Sequence, residues 1–148
     1  MHYDFNHTGF SWSTMTPFDN GKWTEGDAAG GVAWVGVVAA QSLTPADPHL
    51  AMAKAALGYL EAQTESPLYE CVMPLGVLAA ARMNAQHGTN YSVGTFLEWS
   101  LSGGHNQHRQ GWGEPRPGPL CPPWNTCCAQ SVVLGHGVAS AAVQTINA

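Results

Sequence analysis

The chain has 148 residues, a formal net charge of −5 at pH 7, and only 10% charged residues. That length suits one domain that buries about 70% of its unfolded surface without covalent staples, and the acidic balance, with no Lys/Arg cluster, argues against nucleic-acid phosphate as a partner. No apolar stretch reaches the roughly 20 residues that span a bilayer; the N-terminus has no basic region leading into an apolar core, so no signal peptide is expected and a cytoplasmic location is favoured.

Residues 1–26 are rich in aromatic, glycine and hydroxyl residues and read as an irregular lead-in, with a strand near Phe10–Ser13. Within it, Asp19-Asn20-Gly21-Lys22-Trp23-Thr24-Glu25-Gly26-Asp27 gathers three of the chain's ten carboxylates beside an indole ring. Residues 27–42 are small and apolar. The β-branched run Val32–Val38 is compatible with a buried strand, but its length and flanking alanines favour a buried helix, with Trp34 in the core. Asp27 then stands as the N-cap of that helix.

Asp47-Pro48 supplies a second N-cap and a proline at the first helical position. Leu50, Ala53, Leu57 and Leu60 follow at helical spacing, predicting a helix to about Gln63. Ser66-Pro67 opens a third start signal. Val72, Leu75, Ala79 and Met83 continue one face, Pro74 sits near the start, and Gly88 is the expected stop. A shorter helix begins at Ser92, places Val93, Phe96, Leu97 and Leu101 on one side, and ends at Gly103-Gly104. Short connections make neighbouring helices antiparallel, so residues 27–102 read as two helical hairpins. The expected fold class is mainly α.

After Gly113 the composition changes: Pro115, Pro117, Pro119, Pro122 and Pro123 fall close together, and no Asp, Glu, Lys or Arg follows Arg116. Residues 114–148 therefore read as a Pro/Cys-rich linker and apolar tail, separate from the hairpin domain 1–113. An altered reading frame would produce the same shift. Cys71, Cys121, Cys127 and Cys128 lack zinc-site spacing; they read as free thiols, with a Cys121 disulfide to one of the vicinal pair as the alternative.

Thr16-Pro17-Phe18-Asp19-Asn20-Gly21-Lys22-Trp23-Thr24-Glu25-Gly26-Asp27, followed by an Ala/Gly-rich helix carrying Trp34, resembles part of a six-hairpin (α/α)₆-toroid glycosidase-type protein. Ser66-Pro67-Leu68-Tyr69-Glu70, Ala80-Ala81-Arg82-Met83-Asn84-Ala85, Leu97-Glu98-Trp99 and Gln110-Gly111-Trp112-Gly113 add to the likeness, which covers residues 1 to about 113. The resemblance implies a carbohydrate-active protein with carboxylates and aromatic rings at the mouth of a toroid. A full toroid has about twelve helices and this chain has room for four to six, so the expectation is a partial, truncated toroid.

Glycoside hydrolysis needs a protonated carboxyl and an ionised one on opposite sides of the scissile bond. Asp27, at a helix N-terminus whose dipole favours an anion, suits the base or nucleophile. Glu70, in a less polar setting beside Tyr69 and Val72, suits the acid, with Glu25 and Asp19 in reserve. Trp12, Trp23, Trp99 and Trp112 are candidate sugar platforms. Asp19, Glu25 and Asp27 are hard oxygen donors that suit Ca²⁺, which gives the alternative of cation-assisted hydrolysis of an ester or lactone. The His105/His108 pair, His2, His7 and His136 are weaker candidates. A third alternative is a non-catalytic domain that binds sugar or self-associates. Charged residues usually make up about 25% of a chain; with so few here, an uncovered apolar side is expected to pair in a two-fold homo-oligomer.

Overall fold

A computed structural model describes residues 4–68 and 72–101. Its elements, in chain order, are a hairpin of β1 (Gly9–Ser11) and β2 (Thr16–Phe18), then α1 (Ala28–Ser42), α2 (Asp47–Glu61), α3 (Met73–His87) and α4 (Val93–Leu101). The strands are antiparallel, in the register Gly9↔Phe18, Phe10↔Pro17 and Ser11↔Thr16. The described residues are thus mainly helical, with four packed helices and a small two-stranded sheet. None of the described helices is long and apolar enough to cross a membrane.

Helix α1 is the hub: it packs against both α2 and α3, and α3 in turn packs against α4. Its buried residues, Ala29, Gly30, Ala33, Gly36 and Val37, explain this position. Small side chains on two sides of one helix let two neighbours approach closely. The expected helix over 27–42 is therefore present, and the strand alternative for Val32–Val38 is wrong. Trp34 is only half-buried, packed at the core's edge under the Arg82 guanidinium, which lies 5.2 Å from the ring centroid. An indole under a guanidinium gains a cation–π contact there without full burial.

Helix α2 buries Ala53, Ala56, Leu57 and Leu60, as its spacing requires. Its N-cap is Ala46 and not Asp47, which is the first helical residue with Pro48 behind it. Helix α3 starts at Met73, later than Ser66-Pro67 suggests, and stops at Gly88 in the left-handed conformation, with φ 63°. Ser66 is fully buried: its hydroxyl donates to the Trp99 carbonyl (3.1 Å) and accepts the Leu68 N–H (3.3 Å). It anchors α4 and caps nothing, a role set by a partner 33 residues away. In α4 the buried face is Phe96, Trp99 and Ser100, while Leu97 and Leu101 are exposed, which corrects the expected stripe. Ser92, just before α4, is held by Glu61: its N–H and its hydroxyl each donate to one carboxylate oxygen. The strand expected at Phe10–Ser13 exists, shifted to Gly9–Ser11, and pairs with β2, a short strand with Pro17 at its centre.

Candidate functional site

The loop between β2 and α1 carries the acidic segment, and Thr8 organises it. The Thr8 hydroxyl donates to the Trp23 carbonyl (2.7 Å) and accepts the Asn20 N–H (3.1 Å). Its own N–H points to the Phe18 carbonyl and to Asp19 Oδ1. Asn20 Oδ1 accepts the Lys22 and Trp23 N–H groups, an Asx turn that reverses the chain beside Gly21. The Glu25 N–H donates to the His7 carbonyl at 2.9 Å. These bonds tie residues 19–25 to the strand β1 side and deliver Glu25 and Asp27 to the start of α1.

Asp27 is only 2% exposed. It occupies the N-cap position of α1 but makes no side-chain cap hydrogen bond, which corrects the expectation of a capping carboxylate. Its neighbour Gly26 explains the depth. A Cβ there would meet the Tyr59 hydroxyl at 2.8 Å and Pro67 at 3.1 Å, so glycine lets the loop pass under Tyr59 without displacing that side chain. The Tyr59 hydroxyl donates to Asn6 Oδ1 at 2.8 Å, and its ring meets Phe5 at 5.1 Å between centroids. Burial, then the nearby charges of Asp4 and Asp27, push the Tyr59 phenol up to about 12. It is thus a fixed hydrogen-bond donor beside Asp27 at neutral pH.

Glu25 and Asp27 open onto a cleft of about 470 Å³. Along α1 the lining continues through Ala28, Gly31, Val32 and Val35; Met52 of α2 and Val72 and Leu75 at the start of α3 form the flanks. Val72 and Leu75, expected on the core face of α3, are only half-buried and face this cleft instead, while Met73, Gly76, Ala80 and Met83 fill the core side. A concave, mostly apolar site with a few convergent polar groups is the usual form of a small-molecule pocket.

Asp19 lies elsewhere. Its carboxylate faces His7 Nδ1 at 3.2 Å and accepts the Thr8 N–H, and it lines a separate hollow of about 260 Å³ with Gly21, Lys22, Trp23 and Thr24. The Ca²⁺ set of Asp19, Glu25 and Asp27 is therefore parted, and among the described residues no three His, Cys, Asp or Glu side chains gather to hold a metal. The physical reason is the hairpin: its backbone and His7 claim Asp19 before the chain turns towards α1. Asp4 and Asp19 flank His7 on either side, the former at 3.8 Å.

The tryptophans also divide. Trp99 is 9% exposed and stacks on Phe96 at 5.8 Å between centroids, so it is a core residue and no sugar platform. Trp12 is 79% exposed on the hairpin, edge-on to Phe10 at 5.1 Å, and Trp23 belongs to the smaller hollow. None of the three lines the larger cleft. Glu70, Trp112, the four cysteines, His2, His105, His108, His136 and the 114–148 tail lie outside the described residues. Thr8, Gly26 and Tyr59, which border the loop leading to Asp27, are not legible from the sequence: a threonine, a glycine and a tyrosine in polar or helical stretches carry no spacing signal. No protein-family model, no curated protein and no solved structure matches this chain.

Proposed function

We propose that the protein is a glycosidase-like hydrolase of the six-hairpin kind, a partial toroid acting on a carbohydrate or related polar substrate at the cleft where α1 begins. The observation that carries this reading is the pair of carboxylates, one buried and one exposed, on the wall of a cleft of small-molecule size: Asp27 is 2% exposed and Glu25 is exposed to solvent. Such asymmetry of environment is how two carboxyl groups are given different protonation tasks. Against the effect of burial, the N-terminus of α1 favours the Asp27 anion, so in this reading Asp27 accepts a proton from the attacking water; the second carboxyl, Glu25 on the cleft wall or Glu70 outside the described residues, gives one to the departing glycosidic oxygen. Tyr59 packs close over Gly26, next to Asp27, and donates to Asn6. The test is release of nitrophenol from a panel of 4-nitrophenyl glycosides by the full-length chain. Asp27→Asn should lower turnover by about 10²-fold or more. No release above a heat-denatured sample, or an unchanged rate in Asp27→Asn, would refute the hydrolase.

A second, non-catalytic reading has its own support. Val35, Val38 and Leu43 of the α1 side and Leu97 and Leu101 of α4 are exposed apolar side chains. Exposed apolar surface of this kind marks association sites. In this reading the chain forms a two-fold dimer. A monomeric mass by sedimentation at micromolar concentration contradicts it.

A further inference from the structure

The cleft is chemically two-ended. The residues of α1 that line it, Ala28, Gly31, Val32 and Val35, recur at three and four positions and form one stripe along the helix. From Asp27 to Val35 the stripe runs about 12 Å at the helical rise. Its beginning carries two carboxyl groups, and the ionised Asp27 of the hydrolase reading only accepts hydrogen bonds. Its far part offers Val32 and Val35, faced by Met52 from α2 and Leu75 from α3, with no polar side chain among the described lining residues there. A bare monosaccharide laid along this stripe would donate hydroxyls to Glu25 and Asp27 but leave others facing methyl groups without a partner, a costly arrangement. A ligand polar at one end and apolar at the other satisfies both halves. Its polar end must donate.

We propose, building on the hydrolase reading, that the substrates are glycosides with an apolar aglycone. The sugar hydroxyls sit at Glu25 and Asp27, and an aryl or alkyl group lies along Val32, Val35, Met52 and Leu75. This orientation sets the glycosidic oxygen between the carboxylates and the apolar stripe. The aglycone then leaves by the open Val35 end, where that side chain is 60% exposed.

Binding and turnover are read separately on the full-length chain. Ligand-observed NMR titrations use the octyl glycosides of glucose, galactose and mannose, below their micelle concentrations, against the methyl glycosides of the same sugars. At least one octyl glycoside should bind about tenfold or more tightly than its methyl counterpart, since burying part of an alkyl chain favours the complex. Val35→Asp should erase that difference and Val35→Leu keep it; the position is exposed enough for both variants to fold. Equal binding of octyl and methyl forms, no binding by any of the six, or indifference to Val35→Asp overturns the proposal. So does tighter binding of octyltrimethylammonium than of every octyl glycoside, because the carboxylates then select a cation. An octyl preference without cleavage of any nitrophenyl glycoside supports the apolar subsite and removes the hydrolase reading. Cleavage with no preference between nitrophenyl and methyl glycosides does the reverse.

Discussion

Gly30 of α1 lies directly against Gly76 of α3: a Cβ on Gly30 would come within 3.0 Å of the Gly76 nitrogen and 2.8 Å of the Val72 carbonyl oxygen. The atoms in the way are backbone, which cannot swing aside. This contact sets the distance between α1 and the start of α3, and so the width of the cleft between Asp27 and Val72. Gly30→Ala should destabilise the protein by about 1–3 kcal/mol, the usual range for overpacking. Urea unfolding measures it. A change below about 0.5 kcal/mol, the scale of an ordinary surface substitution, would show that the helices slide apart freely.

Ser66 gives the second expectation. Its hydroxyl is buried and bonded on both sides, to the Trp99 carbonyl and the Leu68 N–H. Ser66→Ala removes both of these hydrogen bonds from a buried site and should cost about 1–3 kcal/mol. Loss of near-ultraviolet dichroism from Trp99 ahead of global unfolding would locate the damage at α4. Retention of full stability would mean that the loop and α4 are not joined through this side chain.

Tyr59 makes stability depend on alkaline pH. Its phenol is raised from an ordinary value of 10.0 to about 12 by burial, then by the charges of Asp4 and Asp27. Below pH 10 the folded and unfolded chains both keep the proton, and the contribution is fully present. Between pH 10 and about 12 only the unfolded chain has lost it, so stability falls as pH rises. The ring is half-buried, and solvent screening trims the effect to no more than about 1 kcal/mol. Tyr59→Phe should flatten this part of the unfolding profile. An unchanged slope in the variant contradicts the assignment.

Calcium should have no effect on the described fold. Asp19 is engaged by His7 and Thr8, away from Glu25 and Asp27. Removing divalent ions with a chelator, then restoring Ca²⁺, should leave Tm within about 1 °C, because a ligand that binds neither state moves no equilibrium. A clear Ca²⁺-dependent rise would revive the cation-assisted alternative. In the same experiment Asp19→Ala should loosen the hairpin by about 1 kcal/mol through the lost Thr8 bond.

Local chemistry made much of the fold legible. The helix over 28–42 followed from the length of an apolar run; α2 followed from Leu57 and Leu60 at helical spacing behind Pro48; the end of α3 followed from Gly88. Errors came where two structures share one local signal. Ser66-Pro67 has the look of a helix start, yet the Ser66 hydroxyl is bound to the carbonyl of a residue far along the chain. Phe96 and Leu97 are equally apolar, and only the packing of α4 against α3 decides that Phe96 turns inward and Leu97 outward.

The candidate site divides the same way. The sequence by itself determined a mainly helical chain and a carboxylate-rich loop ahead of a buried helix, because periodicity and composition act on neighbours within a few residues. Only the tertiary structure decided which carboxylates share a cleft. The Thr8 hydroxyl fixes the loop at Asn20 and Trp23, Gly26 lets it pass close to Tyr59, and Asp27 is buried beside the exposed Glu25, while His7 faces Asp19. Those contacts join residues up to 53 positions apart, as Tyr59 with Asn6, and depend on directional bonds that no spacing along the chain records.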